Sequence, residues 1–512
     1  VAFLRAAAAL AAAGALVGTA TAATIAGGPG GERLRGTARA DLIHGGGGND
    51  VLSGGAGNDR LDGGRGRDSF ACGRGRDVAV ADAGERVGSD CEVVVRRISR
   101  DPGRGPSFHE TEVEPDSFAF GSKVVAAFQV GRFRDGGASG IGFATSANAG
   151  RTWRSGLLRG LTTAAPSPGP YPRASDPAVA YDAKHGVWLV VTLAIDQPLF
   201  ALAVSRSADG LGWSPPVVAF TAPPAVGDAL GIDKEWIVCD NGTTSPFRGR
   251  CYVSYTDFQL GLLTTRRSDD GGLTWSGPVS VATGFDDNGP QPLVRPDGEL
   301  VIPIRSRDDM YVLRSRTGGE SFLAPERIAP APVADTPGLR APSLPSAEVA
   351  GDGTVFVAWH GCSFRASCSR NDVVLARGDP GGGWTVSRIP IHPVSSAFGD
   401  FTPGIAVDPG GSGGATRLAV TYYTLRPCGA DCRIDAGIVT SRDAGRTWSP
   451  PQPLNVLPMQ QSWLPPAGGR FLGDYISTSF AGGRAVGVFT LAEPPFAGRL
   501  DEAIYATSLA VR

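Results

Sequence analysis

GGPGGERLR, GTARADLIH, GGGGNDVLS, GGAGNDRLD, GGRGRDSFA and CGRGRDVAV run without a gap from Gly27 to Val80 and decide the reading of the first part of the chain. They are six units of nine residues, and the sixth position of each holds an acid: Glu32, Asp41, Asp50, Asp59, Asp68 and Asp77. The eighth position is mostly apolar, with Leu34, Leu52, Leu61 and Phe70. Glycines at the unit starts permit left-handed turn angles that other residues resist, and such turns expose carbonyl oxygens. An acid recurring beside them adds a hard oxygen ligand of the kind calcium takes. The apolar position supplies a thin core between stacked short strands.

The pattern resembles the G-G-x-G-x-D-x-L-x nonapeptide of the RTX, or haemolysin-type, calcium-binding family. The resemblance implies a parallel β-roll over residues 27–92, with successive turns eighteen residues apart and Ca2+ held between units i and i+2. Its metal ligands are then Asp41 with Asp59, Asp50 with Asp68, and Asp59 with Asp77. A flexible Gly-rich linker is the reading that composition alone favours; strict register over six units argues against it. The outer units are weaker, since Glu32 replaces the aspartate and Gly36-Thr37-Ala38 lacks the second glycine. Arg65, Arg67, Arg74 and Arg76 sit inside the turns, where their charge is expected to weaken the last sites. Two or three ions are expected.

At 512 residues the chain has room for two or more domains and a large core. A net charge of −2 without a strongly basic block argues against a nucleic-acid or membrane-surface partner. Residues 1–22 read as a secretory signal: Arg5, an Ala-rich apolar run from Ala6 to Val17, then the small-residue cleavage site Ala20-Thr21-Ala22. The run is too short for a comfortable membrane span. A secreted, extracellular, soluble monomer is expected. The eight cysteines fall into near pairs, Cys72 with Cys91, Cys239 with Cys251, Cys362 with Cys368, and Cys428 with Cys432. An even count in an exported chain reads as disulfides. The rival reading is a metal site, but five scattered histidines and no repeated C-x-x-C argue against zinc.

A basic, Pro/Gly-containing stretch over 93–106 reads as a linker. Beyond it an octapeptide recurs: Ser146 to Trp153 (SANAGRTW), Ser268 to Trp275 (SDDGGLTW) and Ser441 to Trp448 (SRDAGRTW). Blurred copies run from Ser207 to Trp213, Ser315 to Phe322 and Arg377 to Trp384. Apolar strand-like runs precede each, such as Pro177 to Tyr181 and Val187 to Val191. The octapeptide resembles the S-x-D-x-G-x-T-W Asp box, or BNR repeat, of sialidase-like β-propellers. The resemblance implies a propeller over 107–512, its octapeptides forming turns between the third and fourth strands of each blade. Asp270 and Asp443 are then structural, bonding local amides while Trp packs beneath. The fold class expected is therefore all-β, a calcium-binding parallel β-roll followed by a propeller. Seven blades are favoured over six, opening near His109, Asp176, Asp233, Gln291, Arg340, Asp400 and Asp474.

Innermost strands of a propeller start at one end of the channel, so the residues opening each unit converge there. A charged, concave funnel is a reasonable ligand site, and Asp233, Arg340, Asp400 and Asp474 are its candidate ligand contacts, beside Glu110, Glu112, Asn288 and Gln291. Some of these acids can instead bond backbone amides and hold the ring closed. The sialidase resemblance implies three arginines on a substrate carboxylate, a Tyr nucleophile with a Glu partner, and an acid. Arg173, Arg305, Arg340 and Arg470 are candidates for the grip. Tyr475 or Tyr171 is the candidate nucleophile, Glu235 or Glu112 its base, and Asp176 the acid. The family's Arg-Ile-Pro motif is absent; Val301 to Arg305 (VIPIR) does not replace it. Two functions stay open. One is a secreted calcium-binding protein whose propeller recognises a glycan or a cell-surface protein at the channel mouth. The other is an exo-sialidase or related glycoside hydrolase with divergent catalytic residues.

Overall fold

The computed structural model describes residues 22–224, 231–282, 287–429 and 431–511. The secretory signal expected over 1–22 lies outside them except for Ala22. No helix among the described residues is long and apolar enough to cross a membrane.

The nine-residue units form two parallel sheets. One stacks Thr24–Ala26, Leu42–His44, Arg60–Asp62 and Val78–Ala81; the other stacks Arg33–Arg35, Val51–Ala56, Ser69–Arg74 and Arg86–Val87. Each strand pairs with the one eighteen residues on, Leu42 with Arg60 and Leu52 with Phe70. The eighth-position side chains Ile43, Leu52, Leu61 and Phe70 meet between the sheets, where the Cys72–Cys91 disulfide closes the end. The other three expected pairs are also bonded, Cys239–Cys251, Cys362–Cys368 and Cys428–Cys432.

The expected linker is corrected in its first part. Val93–Arg97 is a strand, paired in parallel with Val78–Ala81 and antiparallel with Glu502–Ala510 near the C-terminus. The roll therefore continues into the second unit as one sheet. The reason is edge satisfaction: the last roll strand and the last strand of the chain each carry a free ladder of backbone groups, and Val93–Arg97 pairs with both.

Beyond it, antiparallel strand groups follow in chain order. The first comprises Phe108–Phe120, Lys123–Arg132, Ala138–Ser146 and Arg154–Leu157. Later groups have Arg173–Asp182, Ile232–Cys239, Asp287–Asn288 with Leu293–Val294, Ser346–Val349, Gly399–Val407 and Ser477–Ala481 as their first strands. Hydrogen bonds tie each group to the next: Val179 N to Asp116, Asn241 to Tyr181 O, Arg250 to Gly318 O, Ala347 N to Gln291, Ile405 N to Ser346, and Thr478 to Gly404 O. Ser117 and Ser477, 2.9 Å apart, join the last to the first. The last group has only three strands of its own, and Val93–Arg97 completes it.

All six octapeptides turn between a third strand and the outer one. In Ser268 to Trp275, Asp270 accepts from the amides of Leu273 and Thr274 at 3.0 Å and from the Thr274 hydroxyl at 2.6 Å, while Gly272 N donates to Ser268 Oγ. Asp443 is bonded in the same way to Thr447. Arg340, expected to open a unit, sits instead on a long loop, where Leu339–Arg340 pairs in parallel with Arg470–Phe471.

Candidate functional site

The first strands of several groups carry the same irregularity. Their ladders slip at Val113/Asp116, Ser175/Ala178, Asp233/Trp236 and Phe401/Gly404. At each slip one residue adopts a left-handed backbone: Glu114 (φ 54), Asp176 (φ 46), Lys234 (φ 55) and Thr402 (φ 45). Such bulges re-aim a side chain, and a left-handed non-glycine costs of order 1–3 kcal/mol. At Glu114, Asp176 and Lys234 they turn charged groups toward one point.

Lys234 Nζ lies 2.6 Å from Asp176, 2.8 Å from Asp474 and 3.3 Å from Glu114. Four strand groups thus converge on one buried ammonium. Its three carboxylates hold Lys234 in the charged form although burial opposes it. Burial likewise opposes ionisation of Asp474, but Lys234 and Arg340 keep its carboxyl well below the usual range. Arg340 meets Asp474 through Nε (3.0 Å) and a terminal nitrogen (2.5 Å). Glu114 also bonds Gln129, whose oxygen takes Arg132 at 2.8 Å. Phe471 lies under both guanidinium groups, 4.2 Å from Arg132 and 4.7 Å from Arg340.

Outside this network opens a cavity of about 950 Å³, walled by Asp233, Lys234, Phe258, Asn288, Arg340 and Asp474 and by the loop from Val333 to Pro342. The buried Oδ1 of Asn288 has no hydrogen-bond partner. Burial pushes Asp233 up to about 7, against the pull of Lys234.

Of the expected ligand contacts, Asp233, Arg340 and Asp474 meet on this wall and Asp400 does not. Asp400 is fully buried and accepts from Thr424 (2.6 Å) and His392 (3.1 Å), so it holds its own sheet together. The expected catalytic set is not assembled. Asp176 lies behind the wall, bonded to Lys234. Tyr475 packs edge-on against Trp236 and donates its hydroxyl to Pro177 O at 3.3 Å. Both carboxyl oxygens of Glu235 are buried without a partner, and burial raises that group far above the carboxylate range. Tyr475 and Glu235 therefore share no hydrogen bond, and burial raises the tyrosine too. Tyr171 belongs to a core cluster of the first two groups. Glu110 bonds Arg97, Glu112 bonds Ser99, and Gln291 bonds the Ala347 amide. Arg173 is paired with Asp135, Arg305 with Asp308, and Arg470 donates to Leu464 O.

Sequence reasoning missed Glu114, Gln129, Arg132 and the 333–342 wall. Glu114 had a signal: Glu114-Pro115, Asp176-Pro177 and Thr402-Pro403 place proline directly after the left-handed residue of three first strands. The wall also had one, a Pro-rich run (PAPVADTPGLRAP) between Ala329 and Ser343.

In the roll, Asp41, Asp50, Asp59, Asp68 and Asp77 form a buried ladder. One oxygen of each accepts from the amide eighteen residues earlier, as Asp41 N to Asp59 at 2.8 Å and Asp59 N to Asp77 at 2.7 Å. The second oxygens of Asp50, Asp59, Asp68 and Asp77 are buried with no partner. A Cβ placed on Gly45 would stand 2.5 Å from the free oxygen of Asp50 and 2.4 Å from Gly63 O; on Gly54, 2.5 Å from that of Asp59 and 2.4 Å from Cys72 O. Unpaired carboxylate oxygens and backbone carbonyl oxygens thus face the same small cradles, the donor set a hard divalent cation requires. At the C-terminal end Glu85, Asp90 and Glu92, unmarked by the nonapeptide, take over the ladder's role for the amides of Asp68, Gly73 and Asp77. Two of the four turn arginines reach the second unit, Arg65 pairing with Asp501 at 2.5 Å and Arg76 with Gln452 at 2.7 Å.

Residues 26–61, 35–70 and 46–79 match the family model for the RTX calcium-binding nonapeptide repeat. The chain carries such repeats at its N-terminal end. No curated protein gives a significant match to the whole sequence. Over most of its length the chain is similar in structure to sialidases. A Hadza microbial sialidase aligns at 16% identity with a TM-score of 0.39, over 79% of this chain and 66% of that one. The NanB sialidase from Streptococcus pneumoniae aligns at 12% identity and TM-score 0.40, over 81% and 71%. An α-L-arabinofuranosidase from Fusarium graminearum aligns at 12% identity and TM-score 0.42, over 81% and 97%.

Proposed function

We propose that this is an exported calcium-binding protein whose second unit, a seven-bladed propeller of the Asp-box type, binds a glycan at the channel mouth without cleaving it. The observation that carries the reading is the pairing of Arg340, the arginine on the cavity wall, with Asp474. An arginine held by two bonds to an aspartate has little left for a sugar carboxylate, and among the described residues no hydrogen-bonded Tyr–Glu pair stands beside it. Asn288 with its unpartnered oxygen and the carboxyl of Asp233 suit vicinal hydroxyls. Phe258, Leu339 and Pro342 offer apolar surface for a sugar ring face. A neutral polysaccharide fits this balance better than a sialylated one.

Seven hydrogen-bonded strand groups closing on themselves support the blade count. In the roll, Asp50, Asp59, Asp68 and Asp77 with the glycine carbonyls would hold Ca2+, which supplies the charge that lets these acids stay ionised side by side. Export is supported by the RTX repeats and the four disulfides. The expected monomer remains part of this reading.

One observation favours a second reading, a glycoside hydrolase. Asp233, raised to about 7, and Asp474, held low, line one cavity, and a protonated and an ionised carboxyl are what glycoside hydrolysis uses. A neutral and sialylated glycan panel, read for both binding and released reducing sugar, separates the two. Saturable binding without release supports the binding module; release abolished by Asp233→Asn establishes the enzyme.

A further inference from the structure

The loop leaving the strand Arg484–Ala492 folds back against the roll. His44, Asp62 and Arg65 from the roll, with Glu493, Phe496 and Asp501 from the loop, wall a cavity of about 470 Å³. We propose that His44, Asp62 and Glu493 form a site for a zinc-class divalent ion that clamps the roll to the propeller, separate from the calcium ladder.

The ligand atoms of the three residues lie within 4.8 Å of one another. His44 Nδ1 stands 3.3 Å from Asp62 Oδ2, close to the ligand–ligand edge of about 3.3 Å that a tetrahedral ion with bonds near 2.0 Å requires. The two atoms form a close ionic contact that is not aligned as a hydrogen bond, and the buried Nδ1 has no aligned hydrogen-bond partner. The other oxygen of Asp62 accepts from Gly64 N at 3.0 Å, which fixes the carboxylate with Oδ2 toward the imidazole. Such outer bonds are how ligands are oriented for a metal.

The nonapeptide does not explain these residues. Its acid is the sixth position, whereas His44 and Asp62 are ninth positions of the second and fourth units. They are adjacent rungs of one ladder, in which Ala26 and Val80 occupy the flanking rungs. An imidazole nitrogen beside two carboxylates suits zinc-like ions and not calcium, which prefers oxygen alone. The loop is already held in place for the third ligand: Asp501 pairs with Arg65, the Arg65 guanidinium lies 4.9 Å from the Phe496 ring, and Glu493 N donates to Asp501 O. The remaining coordination position faces the cavity and takes water.

The test is titration of the full chain with zinc chloride in saturating calcium, followed by calorimetry and thermal melting. One zinc per chain and a raised Tm are expected. His44→Ala and Glu493→Gln should each weaken zinc at least about tenfold while leaving the calcium-induced rise in Tm unchanged, which also verifies that each variant folds. No saturable zinc in the wild type overturns the proposal. So does zinc binding of equal strength in both variants, which places the ion on other groups.

Discussion

Arg340 and Asp474 form a two-point ion pair on the cavity wall, Nε 3.0 Å from Oδ1 and a terminal nitrogen 2.5 Å from Oδ2. They are distant in sequence, brought together because the loop carrying Arg340 pairs with Arg470–Phe471 just ahead of Asp474. The same carboxylate also holds Lys234. The pair sets the character of the wall: cationic side chains are present, and their charge is already met from within.

Lys234→Met should destabilise the protein by about 3–5 kcal/mol, because it strands three carboxylates around a buried point. Asp474, Asp176 and Glu114 would lose their shared partner. Urea unfolding monitored by tryptophan fluorescence measures the loss; a change within experimental error would show that the cluster is solvated.

Calcium removal should lower the melting temperature of the intact chain, since the roll and the last strand group share Val93–Arg97. Carboxylates stacked in one ladder repel until a divalent ion neutralises them. Asp59→Ala should reduce the difference between melts in calcium and in chelator more than any other single ladder substitution, because both neighbouring sites use this residue. Identical melts in calcium and chelator would argue that the ladder stands without metal.

Glu112 gives the pH dependence a sign. It is fully buried, and burial pushes it up to about 8 in the fold, against roughly 4.3 for an unfolded chain. Between these values the folded state binds the extra proton, so this residue's contribution is complete below the lower value and is lost as pH rises through the upper. Glu112→Gln should therefore melt progressively higher relative to wild type from pH 5 to 8.5 in calcium-containing buffer. A constant difference across that range would show that Glu112 does not titrate there.

The octapeptide turns were legible in the sequence because their bonds are local: Ser268, Asp270, Gly272 and Thr274, seven residues from first to last, satisfy one another. The ladder was legible for a similar reason, as its eighteen-residue spacing is written into a strict repeat. Asp233 and Asp474 reach the cavity wall from the unit openings where the spacing placed them, whereas Arg340 reaches it from a loop. What escaped notice depends on contacts remote in sequence. Val93–Arg97 looks like a linker until its two unrelated partner strands are in place. Asp400 resembles the other blade-opening acids, yet His392 and Thr424 consume it. Tyr475 and Glu235 are near one another, but Trp236 and Pro177 O decide where the hydroxyl points.

Trp448→Ala should cost about 2–3 kcal/mol, below the range for a fully buried tryptophan because this ring is only partly buried. Its Nε1 donates to Gly445 O at 3.0 Å on the outer turn, remote from the cavity wall. Thermal melting should register the loss, and the folded fraction should retain ligand affinity. Loss of binding without loss of stability would contradict a structural turn.

The most direct measurement is calorimetric titration of the calcium-loaded chain with the glycan selected from the panel, wild type against Asn288→Ala and Asp233→Ala. Saturable binding without release of reducing sugar is expected, weakened at least about tenfold in each variant, the loss of roughly 1.4 kcal/mol that one or two ligand hydrogen bonds supply. Affinity unchanged in both variants, or turnover by the wild type, would contradict a glycan-binding channel mouth.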